Sequence, residues 1–455
     1  MLFQSLAPSF LILPSLFPCL RLCFSADILI KCHYMEKFRT QLVEDSQSMQ
    51  FSLDSRGVRE FSLKKKTGFL NRSFDGSWKS RAEETAGREA AAKALSGKSP
   101  GNQLPELPPL PMDTGAILAD NSFLTDFLDR LALGEWKLQF RARHCLRAIQ
   151  NSQRQKLKTV FSHFSISVTF KIPNQTEELE VSEGSSEALK FNLNGLTRRI
   201  NETVENQKNR YKTALNCEIP VVLQAGEGAI LFHEILGHSL EADYVCQGVS
   251  PFTLADLNKL IVPPQITIHC RDDRDTFFRN AGVDDEGDTC PSPLLVENGV
   301  LRRFISDYAY QRILQLADRG HARLEDFSRI PQPRMFATYV QPGSFPAAEI
   351  IASTPYGIYA REFGDGGLDF QSGRFYFNIR QSYLIEKGRL TAPIGNLTVS
   401  GLVREIFNDI GMIGDDFKYD RGVSYCQKNG QVLPVRVGQP TIKINKLRVN
   451  GGQSA

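Results

Sequence analysis

The hexapeptide HEILGH at residues 233–238 is the segment that most constrains the fold of this 455-residue chain. Its two histidines and the glutamate beside the first can serve a metal only if the backbone brings their side chains together. Neutral imidazoles are good ligands for Zn²⁺, and a zinc ion that keeps one coordination position open lowers the pKa of its bound water to about 7. A glutamate beside the first ligand can accept the proton of that water and pass it to a leaving amine. The pattern therefore predicts a hydrolytic metal site with His233 and His238 as ligands and Glu234 as the general base.

The spacing of the two histidines predicts an irregular helix. At about 100° per residue, their separation rotates His238 roughly 140° away from His233 around a regular α-helix. Gly237 precedes His238 and permits a π-bulge or a helix end, either of which would turn the second imidazole toward the first. We therefore expect an interruption of helix geometry inside the hexapeptide.

A catalytic zinc site usually has three protein ligands, so another residue must complete it. Cys426 is the preferred candidate, because the segment YCQKNGQ at 425–431 is typical of a turn between strands and could present a thiolate at a strand end. Cys246 is the rival, since it lies close to His238 in sequence. The sequence thus predicts one zinc ion held by His233, His238 and Cys426, with Fe²⁺ or Mn²⁺ as alternative metals for similar ligands.

A series of motifs covers about the last 240 residues of the chain. They are EIPVVL at 218–223, HEILGHSLEAD at 233–243, VDDEG at 283–287, PQPRM at 331–335, EIIASTPYGIYA at 349–360, FGDGG at 363–367, SGRFYF at 372–377, YLIEKG at 383–388 and VGQPTIKI at 437–444. In this order they resemble the motifs of the TldD/PmbA family of metallopeptidases. Because the histidines are retained, the resemblance is to the TldD-like, metal-bearing branch of that family.

This resemblance implies roles for four residues. His233, His238 and Cys426 correspond to the zinc ligands of the family, and Glu234 corresponds to its catalytic base. The resemblance also implies cleavage of short or unfolded peptides and a toroidal pair with a homologous, metal-free subunit. We therefore expect a dimer with a homologous partner, either identical or diverged.

The chain departs from the family pattern near the predicted metal site. The family commonly has glycine at the positions of Ser239, Ala242 and Gln427. The segment between Val245 and Val262 also lacks the usual glycine-containing pattern. The backbone path around the metal and the substrate contacts of that segment therefore stay open at this point.

Length and composition predict two or three globular domains, because 41% hydrophobic residues suffice for substantial cores. The net charge of +3 is nearly balanced, and no run of basic residues alternates with aromatic residues, which argues against a nucleic-acid partner. Nine cysteines without a CxxC pair indicate a reducing compartment rather than a disulfide framework. We therefore expect a cytoplasmic protein.

Residues 1–40 form an apolar N-terminal extension that could be a signal, an anchor or an upstream extension. The first part, residues 1–20, carries no charged side chain and resembles the apolar core of a signal peptide. The usual basic start is missing, however, and three prolines would interrupt a membrane helix. We favour Met35 as the functional start over an export signal and predict no membrane partner.

The chain pattern predicts an α+β fold, with an N-terminal mixed α/β domain at 41–212 and a mainly antiparallel β domain at 213–455 that carries the metal-binding helix. In the first domain the predicted elements are strands within 50–72 and at 136–149 and 160–172, helices at 81–96, 123–133 and 192–211, and an extended connector at 104–112. In the second domain they are strands at 265–270, 372–379, 383–385 and 441–449, a helix at 308–317, and a helix or an irregular connection at 403–410. His33, His144 and His163 are interpreted as surface or hydrogen-bonded histidines, and no chemistry is assigned to the first domain.

Other residues have alternative interpretations. FGDGG at 363–367 is either a tight turn or a strand edge where a substrate backbone can lie close. Glu241 is expected to accept a hydrogen bond from His238. Asp284 to Glu286, which include Asp285, form either a turn or cap or part of the catalytic machinery, and Arg334 either stabilises an oxyanion or pairs with one of these acids.

Three functions then compete. The first is a zinc peptidase with a metal-activated water as nucleophile. The second is a non-catalytic, peptide-binding partner subunit of a TldD/PmbA-type complex, which should lack the metal residues that this chain retains. The third is a structural or redox-sensing metal site, in which four protein ligands leave no place for water. We prefer the first.

Overall fold

A computed structural model describes residues 38–54, 57–74, 78–84, 135–151, 156–172, 178–186, 191–211, 214–271, 282–290, 292–422 and 424–451. Over these residues the chain combines helices with many strands, which confirms the predicted α+β class. Residues 1–37 of the predicted N-terminal extension lie outside this part of the chain.

The N-terminal half forms a six-stranded sheet. Its strands are β1 (Phe38–Asp54), β2 (Gly57–Phe74), β3 (Trp78–Glu84), β4 (Trp136–Asn151), β5 (Lys156–Lys171) and β6 (Glu178–Ser185). They pair antiparallel in the order β3-β2-β1-β4-β5-β6. Helix α1 (Leu193–Lys208) packs Leu196 and Ile200 into the same buried cluster as Phe140 of β4 and Ile166 of β5, so the helix covers one face of the sheet.

Most of the predicted N-terminal elements agree with the structure. The strands at 136–149 and 160–172 are confirmed as β4 and β5, those within 50–72 as parts of β1 and β2, and the helix at 192–211 as α1. The helix predicted at 81–96 is wrong over Arg81–Glu84, which lie in β3 and pair with β2. Pairing with a neighbouring strand overrides the helical preference of Ala and Glu there. The rest of that helix and the elements predicted at 104–112 and 123–133 lie outside the described residues.

The C-terminal half contains further strands and a few short helices. The strands are β7 (Leu215–Leu223), β8 (Ile268–His269), β9 (Leu294–Glu297), β10 (Val300–Leu301), β11 (Ala322–Arg323), β12 (Gln332–Pro333), β13 (Ala337–Val340), β14 (Tyr356–Asp369), β15 (Arg374–Glu386), β16 (Arg389–Ile394), β17 (Leu397–Leu402), β18 (Ile410–Ile413), β19 (Lys418–Tyr419), β20 (Tyr425–Lys428), β21 (Gln431–Pro434), β22 (Arg436–Gln439) and β23 (Ile442–Gly451). The α-helices are α2 (Ile230–Phe232), α3 (Ala242–Cys246), α4 (Tyr308–Leu314), α5 (Ala347–Ala352) and α6 (Val403–Ile406). Within the described ranges, no helix has the length and apolar composition needed to cross a bilayer.

Two sheets organise this half. One has the order β10-β9-β8-β13-β22-β19, and the other has the order β14-β7-β23-β17-β15-β16, with β18 beside β23. Because β14 also pairs with β15, the second sheet closes on itself. The pairs β13–β22 and β14–β7 are parallel and the other described pairs are antiparallel, which agrees with the mainly antiparallel prediction.

Individual C-terminal predictions differ in length from the observed elements. The strands predicted at 372–379 and 383–385 form one continuous strand, β15, and the strand at 265–270 is reduced to β8. The helix at 308–317 is confirmed as α4, which ends where Gln315 adopts a left-handed φ of 54°. The segment 403–410 forms α6 and then a 3₁₀ turn.

The hydrophobic core surrounds the helical segment that carries the HEILGH motif. Leu231, Phe232, Ile235 and Leu236 are at most 1% exposed and belong to one large cluster with apolar side chains from both sheets. This packing fixes the segment from several sides. The motif therefore lies on a rigid part of the fold.

Two arginines from the N-terminal sheet reach the acidic VDDEG motif. Arg72 of β2 lies 3.0 Å from Glu286, and both side chains are fully buried. Arg147 of β4 lies 2.8 Å from Asp285. The two halves of the chain are thus joined by two charge pairs, one fully buried and one partly buried. The first half therefore has a structural role that its sequence did not indicate.

Candidate metal centre

The HEILGH motif forms a π-helical turn, as the histidine spacing predicts. His233–Gly237 are π-helical, and the backbone N–H of His238 donates to the carbonyl of His233. The wider turn places the two imidazoles together, with ring centroids 5.1 Å apart. A Cβ atom at position 237 would lie 2.0 Å from Sδ of Met335, so glycine is required where the turn meets the neighbouring chain.

His233 is oriented by residues of the β13 region. Its Nδ1 lies 3.1 Å from Oγ1 of Thr338, and that hydroxyl donates to Sδ of Met335, also at 3.1 Å. Because the hydroxyl hydrogen is directed to sulfur, the oxygen accepts from Nδ1–H of His233, which leaves a lone pair on Nε2. That Nε2 atom is buried, and no described residue satisfies it by a hydrogen bond. It has the orientation and tautomer of a metal ligand.

His238 is oriented by a carboxylate. Its Nδ1 lies 2.8 Å from Oε2 of Glu241, as the sequence predicts, so its Nε2 is directed toward His233 and Cys426. Lys428 donates to the same oxygen of Glu241 and also to Asp243, both at 2.8 Å. A carboxylate behind a ligand histidine increases the basicity of the imidazole and fixes its tautomer.

Cys426 is brought to the histidines by the hairpin β20–β21. A two-residue turn joins the strands, with φ of 49° at Asn429 and 72° at Gly430, the left-handed values of a tight hairpin turn. Along β20 the side chains of Cys426 and Lys428 are buried and those of the alternate residues are exposed. One strand face therefore supplies both the thiol at the candidate metal position and the lysine behind Glu241.

The three predicted ligands meet at one point. The sulfur of Cys426 lies 3.1 Å from Nε2 of His238, and the donor atoms of His233, His238 and Cys426 all lie within 4.8 Å of one another. Metal–ligand distances of about 2.0–2.3 Å fit donors at this separation. Two imidazoles and a thiolate form a donor set that suits zinc. The residues present therefore fit the predicted metal.

The electrostatics of the cluster favour the thiolate that a metal needs. Burial alone would raise the pKa of Cys426, but the adjacent His238 and His233 outweigh it and hold the pKa well below its usual range. Burial would likewise lower the pKa of His238, yet Cys426, Glu241 and Glu234 raise it well above its usual value. The thiolate is the form of cysteine that binds metals.

Glu234 lies beside the three ligands and faces solvent. Its side chain is 24% exposed, whereas the other residues of the motif are buried, and its Oε2 lies 3.8 Å from Nε2 of His238. It is thus accessible from outside the protein and adjacent to the candidate metal position. This location suits a group that exchanges protons with a substrate or water.

The other candidate residues have structural partners. Arg334 is buried and donates to the carbonyls of Cys426, at 2.5 Å, and Gln431, so it holds the hairpin. Because the buried guanidinium donates to carbonyls, its predicted pairing with the acids is wrong, and its predicted role at an oxyanion stays a prediction. Among the described residues, Cys246 is not part of a group that could hold a metal.

The acidic VDDEG motif forms a turn, one of its two predicted roles. Asp284 accepts hydrogen bonds from the backbone N–H groups of Glu286, Asp288 and Ala322, each at 2.9 Å. Asp285 accepts from the N–H of Leu324 at 2.8 Å. Together with the ion pairs to Arg72 and Arg147, these hydrogen bonds give the motif a structural role.

The FGDGG motif is not a tight turn, which corrects one of its two interpretations. Residues 363–367 lie inside β14, where the pairing with β15 shifts register between Phe363 and Gly366. A Cβ atom at Gly366 would lie 2.1 Å from the ring of Phe377, and one at Gly367 would meet nothing within 4 Å. Gly366 is required because the ring of Phe377 leaves no room for a side chain. Gly367 has open space around it, so its backbone is accessible.

The residues that differ from the family pattern fit the local structure. Ser239 donates through Oγ to the carbonyl of Ile235 at 2.7 Å, and the N–H of Ala242 donates to the carbonyl of Ile305 at 2.9 Å. Gln427 is on the exposed face of β20.

Comparisons with known proteins identify the family of the C-terminal half. Residues 216–451 match the family model described as the PmbA/TldA metallopeptidase C-terminal domain. A metalloprotease TldD homolog of Buchnera aphidicola (Schizaphis graminum) is 40% identical over 235 residues, covering 51% of this chain and 48% of that protein. A zinc metalloprotease TldD homolog of Saccharolobus solfataricus is 31% identical over 262 residues, covering 57% of this chain and 58% of that protein.

The chain spans about half the length of the curated relatives that it matches. A solved structure covers more of it: TldE from Thermococcus kodakarensis aligns with 94% of this chain and 99% of its own, with a TM-score of 0.67 and 15% identity. At that identity the likeness concerns the fold alone. Both halves of the chain thus share an architecture with this protein.

Proposed function

The chain belongs to the TldD/PmbA family, and from this membership we propose that it is a zinc-dependent metallopeptidase that hydrolyses peptide bonds in short or unfolded peptides. The observation that carries the proposal is the meeting of His233, His238 and Cys426, which come from distant parts of the sequence. The buried Nε2 of His233 has no hydrogen-bond partner among the described residues, which supports a ligand role. The names of the relatives, as metalloproteases, point in the same direction.

The donor set supports a catalytic site over a closed structural one. Within the described ranges the group contains three donors, which leaves a fourth tetrahedral position for water or substrate. Zinc bound there would polarise the scissile carbonyl and make a water molecule more acidic. Retention of all three donors also argues against the non-catalytic partner subunit.

Glu234 then acts as the general base. Its carboxylate accepts a proton from the attacking water and returns it to the nitrogen of the leaving amine. The role needs a group that is adjacent to the ligands and open to the substrate, and Glu234 is partly exposed beside His238. Thr338 and Glu241 act as positioning residues, because each holds one ligand imidazole through its Nδ1.

The substrate binds through its main chain along β14. This strand contacts the π-helical turn, and β7 pairs with it only over Ile358–Ala360, so within the described residues the same edge carries no pairing beyond Ala360. An extended peptide can add there as a further strand, and the open surface at Gly367 permits a close approach. Such binding depends little on sequence and excludes folded proteins, whose backbones are already paired.

A homologous subunit is the proposed partner, either a second copy or a diverged TldE-type chain. The fold shared with TldE of Thermococcus kodakarensis supports this proposal. The free cysteines support a cytoplasmic location, since six thiols at positions 145, 217, 246, 270, 290 and 426 are unbridged.

Metal analysis and peptide cleavage test the proposal together. Purified wild type and Glu234→Gln should each contain about one zinc ion per chain, and only wild type should cleave an unstructured peptide, with kcat reduced at least about 100-fold in the variant. Glu297→Gln, at an exposed ion pair on β9, is the matched control and should retain activity.

The same samples distinguish the alternatives. Equal activity of Glu234→Gln and wild type would remove Glu234 as the base. Absence of metal from both proteins would favour the non-catalytic partner. Cys426→Ala should lose zinc, and full zinc affinity in that variant would exclude Cys426 as the third ligand.

A further inference from the structure

A second cluster of two cysteines and a histidine lies apart from the candidate metal centre. The sulfur of Cys270 is 2.9 Å from Nε2 of His321, and the sulfur of Cys290 is 3.6 Å from the same nitrogen. Both cysteines are free thiols. The two sulfur atoms are therefore neighbours across a single ring nitrogen, although the residues are far apart in the chain.

The two thiols differ in environment. Cys270 is fully buried and its thiol donates to the carbonyl of Pro293, whereas Cys290 is partly exposed. Burial raises the pKa of Cys270 well above its usual value. The contact with Cys270 and the adjacent His321 lower the pKa of Cys290 to about 4. An accessible thiolate thus lies next to a buried thiol.

We propose that Cys290 and Cys270 form an oxidisable thiol pair that hydroperoxides convert to a disulfide, with His321 transferring the proton. Cys290 gives its proton to His321, and the resulting thiolate attacks the peroxide. A sulfur–oxygen bond forms, the oxygen–oxygen bond breaks, and the leaving oxygen takes the proton from His321 and departs as an alcohol or water. This first step produces a sulfenic acid at Cys290.

The second step joins the two sulfur atoms. His321 accepts the proton of Cys270, and the resulting thiolate attacks the sulfur of Cys290. The sulfur–sulfur bond forms as the sulfur–oxygen bond breaks, and the proton held by His321 leaves with the oxygen as water. In total two thiols are oxidised and one hydroperoxide is reduced to an alcohol and water.

Peptide mapping of the full chain tests this proposal without reference to peptidase activity. The protein is exposed to hydrogen peroxide, its remaining thiols are blocked with N-ethylmaleimide under denaturing conditions, and it is digested with trypsin. Arg271, Arg274 and Arg279 separate the two cysteines, so a disulfide would link peptide 260–271 to peptide 280–302, each with one cysteine. We expect this linked pair to be the dominant disulfide, with a mass two hydrogens below the sum of the peptides.

Three variants assign the roles. Cys270→Ser should lose the disulfide and accumulate a sulfenic acid at Cys290, which dimedone labels. His321→Gln should form the linkage at least about tenfold more slowly. Cys217→Ser removes a partly exposed free thiol from β7 and should leave the yield unchanged.

Two results would overturn the proposal. One is the absence of the 270–290 linkage in folded wild type after peroxide has oxidised methionines of the same sample. The other is a bound zinc ion that Cys426→Ala retains and Cys270→Ser loses, since the cluster would then be a metal site. If Cys270→Ser does not fold, the mapping of wild type alone decides.

Discussion

Nζ of Lys428 lies 2.8 Å from Oε2 of Glu241, the same oxygen that accepts from His238. Lysine and carboxylate are both fully buried. A candidate ligand histidine, a carboxylate and a lysine thus form one series of contacts behind the candidate metal position. These contacts link the charge of Glu241 to Lys428, a residue of the hairpin that carries Cys426.

Lys428→Met should lower both stability and zinc affinity. The change leaves Glu241 and Asp243 buried without their cation, and breaking a buried ion pair in this way costs about 3–5 kcal/mol. Urea unfolding and a zinc competition titration measure the two effects. Lys446→Met, at an exposed pair with Glu218, should change neither, and equal behaviour of the two variants would contradict the buried role.

Gly237→Ala should destabilise the protein through a local clash. The new methyl group would lie 2.0 Å from Sδ of Met335, and overpacking of this kind costs about 1–3 kcal/mol. The free energy of unfolding of Gly237→Ala, compared with that of Gly367→Ala, checks the prediction, because Gly367 has open space around it. If both substitutions had the same effect, the close approach at Gly237 would not be the cause.

Arg72→Met should loosen the attachment of the N-terminal sheet. It leaves the carboxylate of Glu286 buried without its partner, with an expected loss of about 3–5 kcal/mol. Arg302→Met, at an exposed pair with Glu297, should cost less than about 1 kcal/mol. Chemical denaturation, monitored by fluorescence, compares the stabilities of the two variants. A small effect of Arg72→Met would show that other contacts hold the sheet.

His163 should make stability depend on pH. Its Nε2 donates to the carbonyl of Gly422 and its Nδ1 accepts from the hydroxyl of Tyr425, so the imidazole is neutral, and burial lowers its pKa from 6.5 to about 4. The unfolded chain binds the proton first as pH falls. The contribution of the neutral His163 to the free energy of unfolding is therefore complete above about pH 6.5 and decreases as pH falls toward 4. It amounts to about 3 kcal/mol.

Urea unfolding at pH 7 and at pH 4.5 measures this dependence. His163→Gln cannot bind the proton in either state, so its stability should fall less between these two pH values than that of wild type. The same pH slope in both proteins would show that other groups cause the acid sensitivity.

Local sequence features were sufficient to predict part of the site. The spacing of His233 and His238, together with Gly237, predicts a break in helix geometry, and a π-helical turn occurs there. The position of Glu241 after His238 predicts their hydrogen bond, which is present. These relationships lie within a few residues, where helix geometry alone limits the choices.

Other relationships depend on distant segments and could not be predicted. Thr338 and Met335 orient His233 from the region of β13, and no local pattern marks them. Lys428 had a weak signal, since it is two residues from Cys426 on a strand and two acids occur at 241 and 243. Its role depends on how the hairpin packs, which only tertiary structure fixes.

Two wrong predictions also result from contacts with distant segments. FGDGG is typical of a turn by composition, yet its glycines lie in a bulged strand because the ring of Phe377 packs against Gly366. Arg81–Glu84 have helix-forming residues but complete the edge of a sheet. In both cases neighbours from elsewhere in the sequence outweigh the local preference.

The hairpin β20–β21 lies almost 200 residues after the two histidines and brings the last of the three donors. During synthesis on the ribosome, a nascent chain that has not yet reached Cys426 can present only two of them. Premature termination anywhere upstream therefore yields a product with an incomplete site. The three donors of the candidate metal site can therefore meet only after the segment that contains Cys426 has been synthesised.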